Sequence, residues 1–340
     1  MPENAAPGTG DVRTMYEAYP YPSPMVGDTL IPDVANSLYT IFGEDGLSGR
    51  KILDAGCGTG QRLLAVARRY PKAHFVGLDM TAASIEVAEA LRQRHGIRNV
   101  EFCASELLDF SPGYVFDVIL SIGVVHHLED PGRGIQFLTS LLNDNGVLIL
   151  WLYHALGEHQ RLLDRETLLT LWNRTEGFDA GLEVLRDMGL KLEVKQYGSS
   201  AAQAKSEVSQ VSIDVDAYLH PIVNAYRFEE IINILRDRAK LDWTAINNIN
   251  LLDSSKLIDL NEVETGDMRY LCQTAEDLFS AEALRQRFRG LDPLKKLRVL
   301  ENQLKPTGFT VLGGRGDSHR HLSARVRSNV IPLKERGNWS

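Results

Sequence analysis

The stretch Ile52-Leu53-Asp54-Ala55-Gly56-Cys57-Gly58-Thr59-Gly60 decides the fold: an apolar strand ends in an acid and passes into a glycine-rich turn ahead of a helical pattern. Glycines in such a turn adopt positive φ and let a ligand reach backbone that a Cβ would shield, so the segment reads as a nucleoside site. A dinucleotide fingerprint runs G-x-G-x-x-G and faces a helix N-terminus to a pyrophosphate. Here Gln61 follows Gly60, and Asp54 stands two residues before Gly56. A carboxylate at that point repels a pyrophosphate and attracts a sulfonium or an α-ammonium group.

Further along, His74-Phe75-Val76-Gly77-Leu78-Asp79 reads as a second strand, with Asp79 about 20 residues beyond the glycines, where a carboxylate holds ribose hydroxyls. A third strand, Val100 to Cys103, leads to Ser105-Glu106-Leu107; Glu106 is placed to accept from an adenine amino group and Leu107 to cover a ring face. The fourth, Phe116 to Ser121, runs into Ile122-Gly123-Val124-Val125-His126-His127-Leu128, and the fifth, Gly146 to Tyr153, follows an Asn-Asp-Asn-Gly turn.

In this order and spacing, ILDAGCGTG, VGLDM, the Ser105-Glu106 turn and SIGVVHHLEDP resemble the class I S-adenosylmethionine-dependent methyltransferase family over residues 50 to 155. The resemblance implies a doubly wound, Rossmann-like, mostly parallel α/β sheet and S-adenosyl-L-methionine as cofactor. It assigns the methionine part to the loop of Asp54, Gly56, Gly58 and Gly60, the ribose to Asp79 with Met80 beside it, the adenine to Glu106 and Leu107, and the cofactor edge to the turn after Ser121. One fold of this kind hosts many acceptors, so the resemblance leaves the substrate open.

At 340 residues with 44% hydrophobic content the chain can bury a full core and has room for two domains. No apolar run approaches the roughly 20 residues a bilayer needs, and the N-terminus lacks the basic and apolar regions of a signal peptide, so a cytoplasmic protein with no membrane contact is expected. Cys57, Cys103 and Cys272 are far apart and lack metal-ligand spacing, which speaks against a disulfide framework or a thiol-bound metal. A net charge of −8 argues against a nucleic-acid partner, although basic residues gather at Arg285 to Arg289 and from Arg315 to Arg327.

The chain divides into an arm and lid (1–49), a cofactor-binding core (50–155) and a helical substrate cap with late strands that complete the sheet (156–340). The arm carries Met15-Tyr16-Glu17-Ala18-Tyr19-Pro20-Tyr21-Pro22-Ser23-Pro24, which the prolines pin to extended and turn conformations, then a helix from Asp33 to Phe42. A similar tyrosine-proline lead folds over the cofactor in some members of the family, which makes Tyr16, Tyr19 and Tyr21 lid candidates. In the cap, helical periodicity covers Gly157 to Asn173, Asp179 to Met188, Arg227 to Lys240 and Glu276 to Leu304, with late strands at Leu241 to Ile246 and Phe309 to Leu312 and a loop at Gly198 to Ser209. Asp216-Ala-Tyr218-Leu-His220-Pro221 resembles a segment after the core of some bacterial small-molecule methyltransferases.

Methyl transfer is an in-line displacement at carbon, and oriented proximity alone supplies ~7–11 kcal/mol. A base is needed where the acceptor must lose a proton. His126 and His127, just past the fourth strand, are the first candidates with His126 preferred, followed by Tyr153 and His154, then His220. Their spacing matches no recognised ligand set, so no metal is expected. The leading reading is transfer to a small-molecule O, N or C nucleophile, with a homodimer open. The alternatives are a protein or RNA methyltransferase, disfavoured because Ser121-Ile-Gly-Val replaces an Asn-Pro-Pro-Tyr-like signature, and a cofactor-binding partner without turnover; a dehydrogenase is more remote.

Overall fold

Strand β1 (Lys51–Ala55) lies between β2 (His74–Asp79) and β4 (Phe116–Ile122), parallel to both, so the glycine turn leaves the sheet where the winding changes direction. Ligands of open α/β sheets bind in the crevice at that point, outside the strand carboxyl ends. The computed structural model describes residues 8–21, 28–192, 207–248, 257–262 and 272–333. With β3 (Val100–Ala104), β5 (Leu142–Tyr153), β6 (Trp243–Asn248), β7 (Leu257–Ile258), β8 (Cys272–Gln273) and β9 (Gly308–Gly314), the sheet order is β3-β2-β1-β4-β5-β9-β6-β7-β8, and β10 (Ile331–Pro332) pairs with β6. Strands β1 to β5 run parallel, and β9 enters antiparallel against β5.

Helix α1 (Thr9–Ala18) opens the described chain and α2 (Asp33–Phe42) follows. Around the first strands, α3 (Gln61–Arg69), α4 (Ala82–Arg94) and α5 (Pro131–Ser140) cover the sheet. Two apolar clusters form the core, one containing Ile52, Leu64 and Ile149, the other Leu53, Ile119 and Leu148; neighbouring residues of one strand thus feed opposite faces, as strand alternation requires. A third cluster joins Met15 of α1 to Leu168, Trp172, Leu182 and Leu219 of the cap. Complete burial of Met15 contributes about 1.5–3 kcal/mol to fastening α1 there.

Three local expectations need correction. The arm is helical from Thr9 to Ala18, because Pro20 restricts only itself and Tyr19 and leaves the preceding turns free. The Asn143 to Gly146 turn lies within β5 as an irregularity: the register shifts between Phe116 and Val118, and the Asn143 side chain accepts from the Asn145 N–H at 2.9 Å. The helix expected from Glu276 to Leu304 breaks into α10 (Ala275–Leu278), α11 (Glu282–Arg289) and α12 (Pro293–Leu304), the last capped by Asp292 ahead of Pro293.

The cap between β5 and β6 contains α6 (His159–Leu171), α7 (Phe178–Asp187), α8 (Glu207–Asp214), a π-helical turn (Val215–Leu219) and α9 (Phe228–Asp237). Pro22 to Pro24 lie outside the described residues, as does the expected loop at Gly198 to Ser209 up to residue 206. Among the described residues no helix is long and apolar enough to cross a membrane.

Candidate active site

A cavity opens at the carboxyl ends of β1, β2 and β4, lined on the sheet side by Asp54, Gly56, Gly58, Asp79, Met80, Glu106 and Leu107 and roofed by Thr9, Val12, Tyr16 and Tyr21 of the arm. Gly56 has φ +93° and Gly58 φ +54°, and a Cβ on Gly56 would stand 2.2 Å from Val124 Cγ2, so only glycine lets this turn lie under the loop after β4. Asp79 tightens the turn: it accepts from the Gly58 N–H at 2.9 Å and from the Thr81 N–H and hydroxyl at 3.0 and 2.8 Å. Glu106 is bonded by Arg13 from the roof, a partner that sequence reasoning missed.

Four carboxylates, Asp54, Asp79, Glu106 and Asp216, face this space, which suits a cationic nucleoside better than a pyrophosphate. Burial pushes the Asp54 carboxyl up to about 7, with Asp79 adding to the rise and Arg62 opposing it. The Arg62 guanidinium is itself held by Asp33 at 3.1 Å. The lining therefore fits S-adenosylmethionine: a glycine turn of backbone atoms, an acid at its entry and a second acid on the next strand.

At the other end stand His127, Trp151, Tyr153 and Asp216, with Tyr16 overhead. The Tyr16 hydroxyl donates to Asp216 Oδ1 at 2.8 Å, joining arm to cap across the cavity. Burial raises Asp216 to about 6 and lowers His127 to about 3, leaving the imidazole neutral. His127 shares the wall with its neighbours through stacking on His220 at 3.7 Å between ring centroids. Single ligating atoms of His127, Asp216 and His220 lie within 4.8 Å of one another, a gathering invisible in sequence because about 90 residues separate the first from the others.

The remaining candidates sort by position. His126 is fully buried behind the wall between His127 and Tyr153, at 4.2 and 4.1 Å between centroids, with neither ring nitrogen hydrogen-bonded among the described residues, and burial lowers its pKa. His127, not the preferred His126, is the histidine that meets the cavity. His154 bonds Glu301 at 3.0 Å away from the lining. Ser121 is buried and donates to the Ala55 carbonyl at 3.3 Å, while Gly60, at φ +81°, supports close packing against Ala88 instead of lining the cavity. Tyr19 bonds Asp179 at 3.1 Å and packs on Phe178, which makes it a tie to the cap. Asp216 was legible only as part of a polar-aromatic segment; its role follows from the turn that brings it opposite Tyr16.

A methyltransferase-domain family profile matches residues 47–175. An uncharacterised protein of Rickettsia prowazekii is 30% identical over 53% of this chain, which covers 73% of that protein; one of Synechococcus is 27% identical over 88% of this chain and 69% of its own length. The structure of PKMT2 from Rickettsia typhi in complex with AdoHcy superposes with a TM-score of 0.55 at 20% identity, covering 86% of this chain. The chain spans 54% of that protein's length.

Proposed function

Because the chain belongs to the class I S-adenosylmethionine-dependent methyltransferases, with S-adenosylmethionine as its cofactor, we propose that it transfers the methyl group to a small-molecule acceptor seated against His127 and Asp216. The observation that carries this reading is the roof: α1 and the π-helical turn meet through Tyr16 and Asp216 directly above the acceptor end. That tie encloses the space beneath it, which favours a small molecule held in line with the methyl group over a macromolecular surface.

In this proposal Asp54 and the Gly56 to Gly58 backbone hold the amino-acid end of the cofactor, Asp79 the ribose and Leu107 a face of the adenine. The bound cofactor supplies an electrophilic methyl carbon on a sulfonium. His127 takes the acceptor proton, and the Asp216 carboxylate offsets the resulting imidazolium. Methyl-tritiated S-adenosylmethionine incubated with the protein and a cell extract tests the assignment. Label is expected in the fraction that passes a small-pore filter; label retained on protein or RNA would overturn it.

A further inference from the structure

Among the described residues that line the cavity, Arg62 alone carries a fixed positive charge, set against the four carboxylates. It stands in the first turn of α3, directly after the glycine turn. Its Nε donates to both oxygens of Asp33, at 3.1 and 3.3 Å, and the Tyr21 hydroxyl lies beside the guanidinium. The start of α2 holds Asp33 in that position, where its Oδ1 also accepts from the Val34 N–H at 2.7 Å. Asp33 engages only Nε, so the paired Nη groups are left for a ligand, and their geometry matches the two oxygens of a carboxylate.

Arg62 is also placed with respect to Asp54. Burial raises the Asp54 carboxyl, and the strongest charge acting on it is that of Arg62, which opposes the rise. Yet among the described residues Arg62 pairs with Asp33 and not with Asp54, so neither charge at the glycine turn is spent on the other. An α-amino acid carries an ammonium and a carboxylate on one carbon. The site that holds it needs an acid and a cation near each other and not bonded together, both facing the same space. Building on S-adenosylmethionine as the cofactor, we propose that Arg62 holds the carboxylate of its methionine end while Asp54 holds the ammonium, with Asp33 keeping the guanidinium in place.

A lining of acids alone would attract the sulfonium and repel the carboxylate of the same molecule; Arg62 removes that conflict. The sulfonium lies between the amino-acid end and the ribose, so anchoring both, at Arg62 with Asp54 and at Asp79, limits where the methyl carbon can point. If Arg62 only pinned α3 to α2 through Asp33, the protein would be indifferent to the carboxylate of its ligand.

Titration calorimetry on the full chain separates the two roles by comparing S-adenosylhomocysteine with S-adenosyl-3-thiopropylamine, the same nucleoside with the ammonium kept and the carboxylate removed. The unmodified protein is expected to bind S-adenosylhomocysteine ~10–100-fold more tightly, about the worth of one charge-assisted pair. Equal affinities would overturn the proposal with no substitution made, so the test does not depend on a variant that folds. Arg62→Gln is expected to lose that factor for S-adenosylhomocysteine and to keep its affinity for the thiopropylamine, whereas Asp54→Asn should weaken both, because both carry the ammonium. A loss of equal size for the two ligands in Arg62→Gln would reduce the residue to a pin between helices. Failure of both ligands to bind the unmodified protein would overturn the cofactor reading itself, and this proposal with it.

Discussion

Two adjacent imidazoles, His126 and His127, differ because the turn after β4 points one into the core and the other at the cavity. His127→Ala should slow methyl transfer ~10²–10⁴-fold with little change in S-adenosylhomocysteine affinity, as expected for a lost proton acceptor. His126→Ala should instead lower stability by about 1–3 kcal/mol through the space it leaves, with transfer per folded molecule retained. Comparing turnover with urea midpoints for the pair checks this, and the reverse pattern would exchange their roles. A neighbouring-residue difference of this kind cannot be read from a His-His pair, since it depends on how the 3₁₀ turn Val125–His127 rotates successive side chains.

Among elements, α1 is the piece that composition hid. Strands β1 to β5 were legible because each is a short apolar run bounded by turn residues, and Asp54, Asp79 and Glu106 were legible because they sit at strand ends. The helix from Thr9 to Ala18 was not, because the prolines that follow it dominate the local pattern, and its apolar contacts, Met15 on Leu168 and Trp172, come from a distant part of the chain. The Asp216 and His220 pairing with His127 escaped for the same reason. Tyr16→Phe isolates what the arm contributes: it removes one hydroxyl that donates to Asp216 at 2.8 Å and leaves the ring in place. S-adenosylhomocysteine should dissociate ~5–15-fold faster from this variant in stopped-flow displacement, about the worth of one hydrogen bond to a charged group; an unchanged off-rate would reduce the tie to packing.

For the whole molecule, two carboxyl groups oppose each other in pH. Asp54, raised to about 7 by burial, contributes stability to the ligand-free protein that is present below the ordinary carboxylate range and lost as pH rises through 7. S-adenosylmethionine needs the ionised form, so its affinity should rise up to ~10-fold per pH unit below 7 and level off above it. Calorimetry in two buffers should register proton release near pH 6.5, and a pH-flat affinity would remove Asp54 from the site. Asp54→Asn should raise the ligand-free melting temperature at pH 8 while weakening the cofactor. Glu301 has the opposite sign. Burial would raise it, but hydrogen bonds from His154, Arg227 and the Phe228 N–H outweigh that and hold it down to about 2, so its contribution is present at neutral pH and lost as pH falls toward 2. Glu301→Gln should cost about 2–3 kcal/mol in urea unfolding at pH 7 and progressively less below pH 4. The roof has a kinetic consequence of its own: α1 grips Glu106 through Arg13 at the nucleoside end and Asp216 through Tyr16 at the acceptor end. One helix therefore covers both passengers, and if the spent nucleoside and the methylated product leave past it together, solvent viscosity should slow steady-state turnover more than it slows the first transfer.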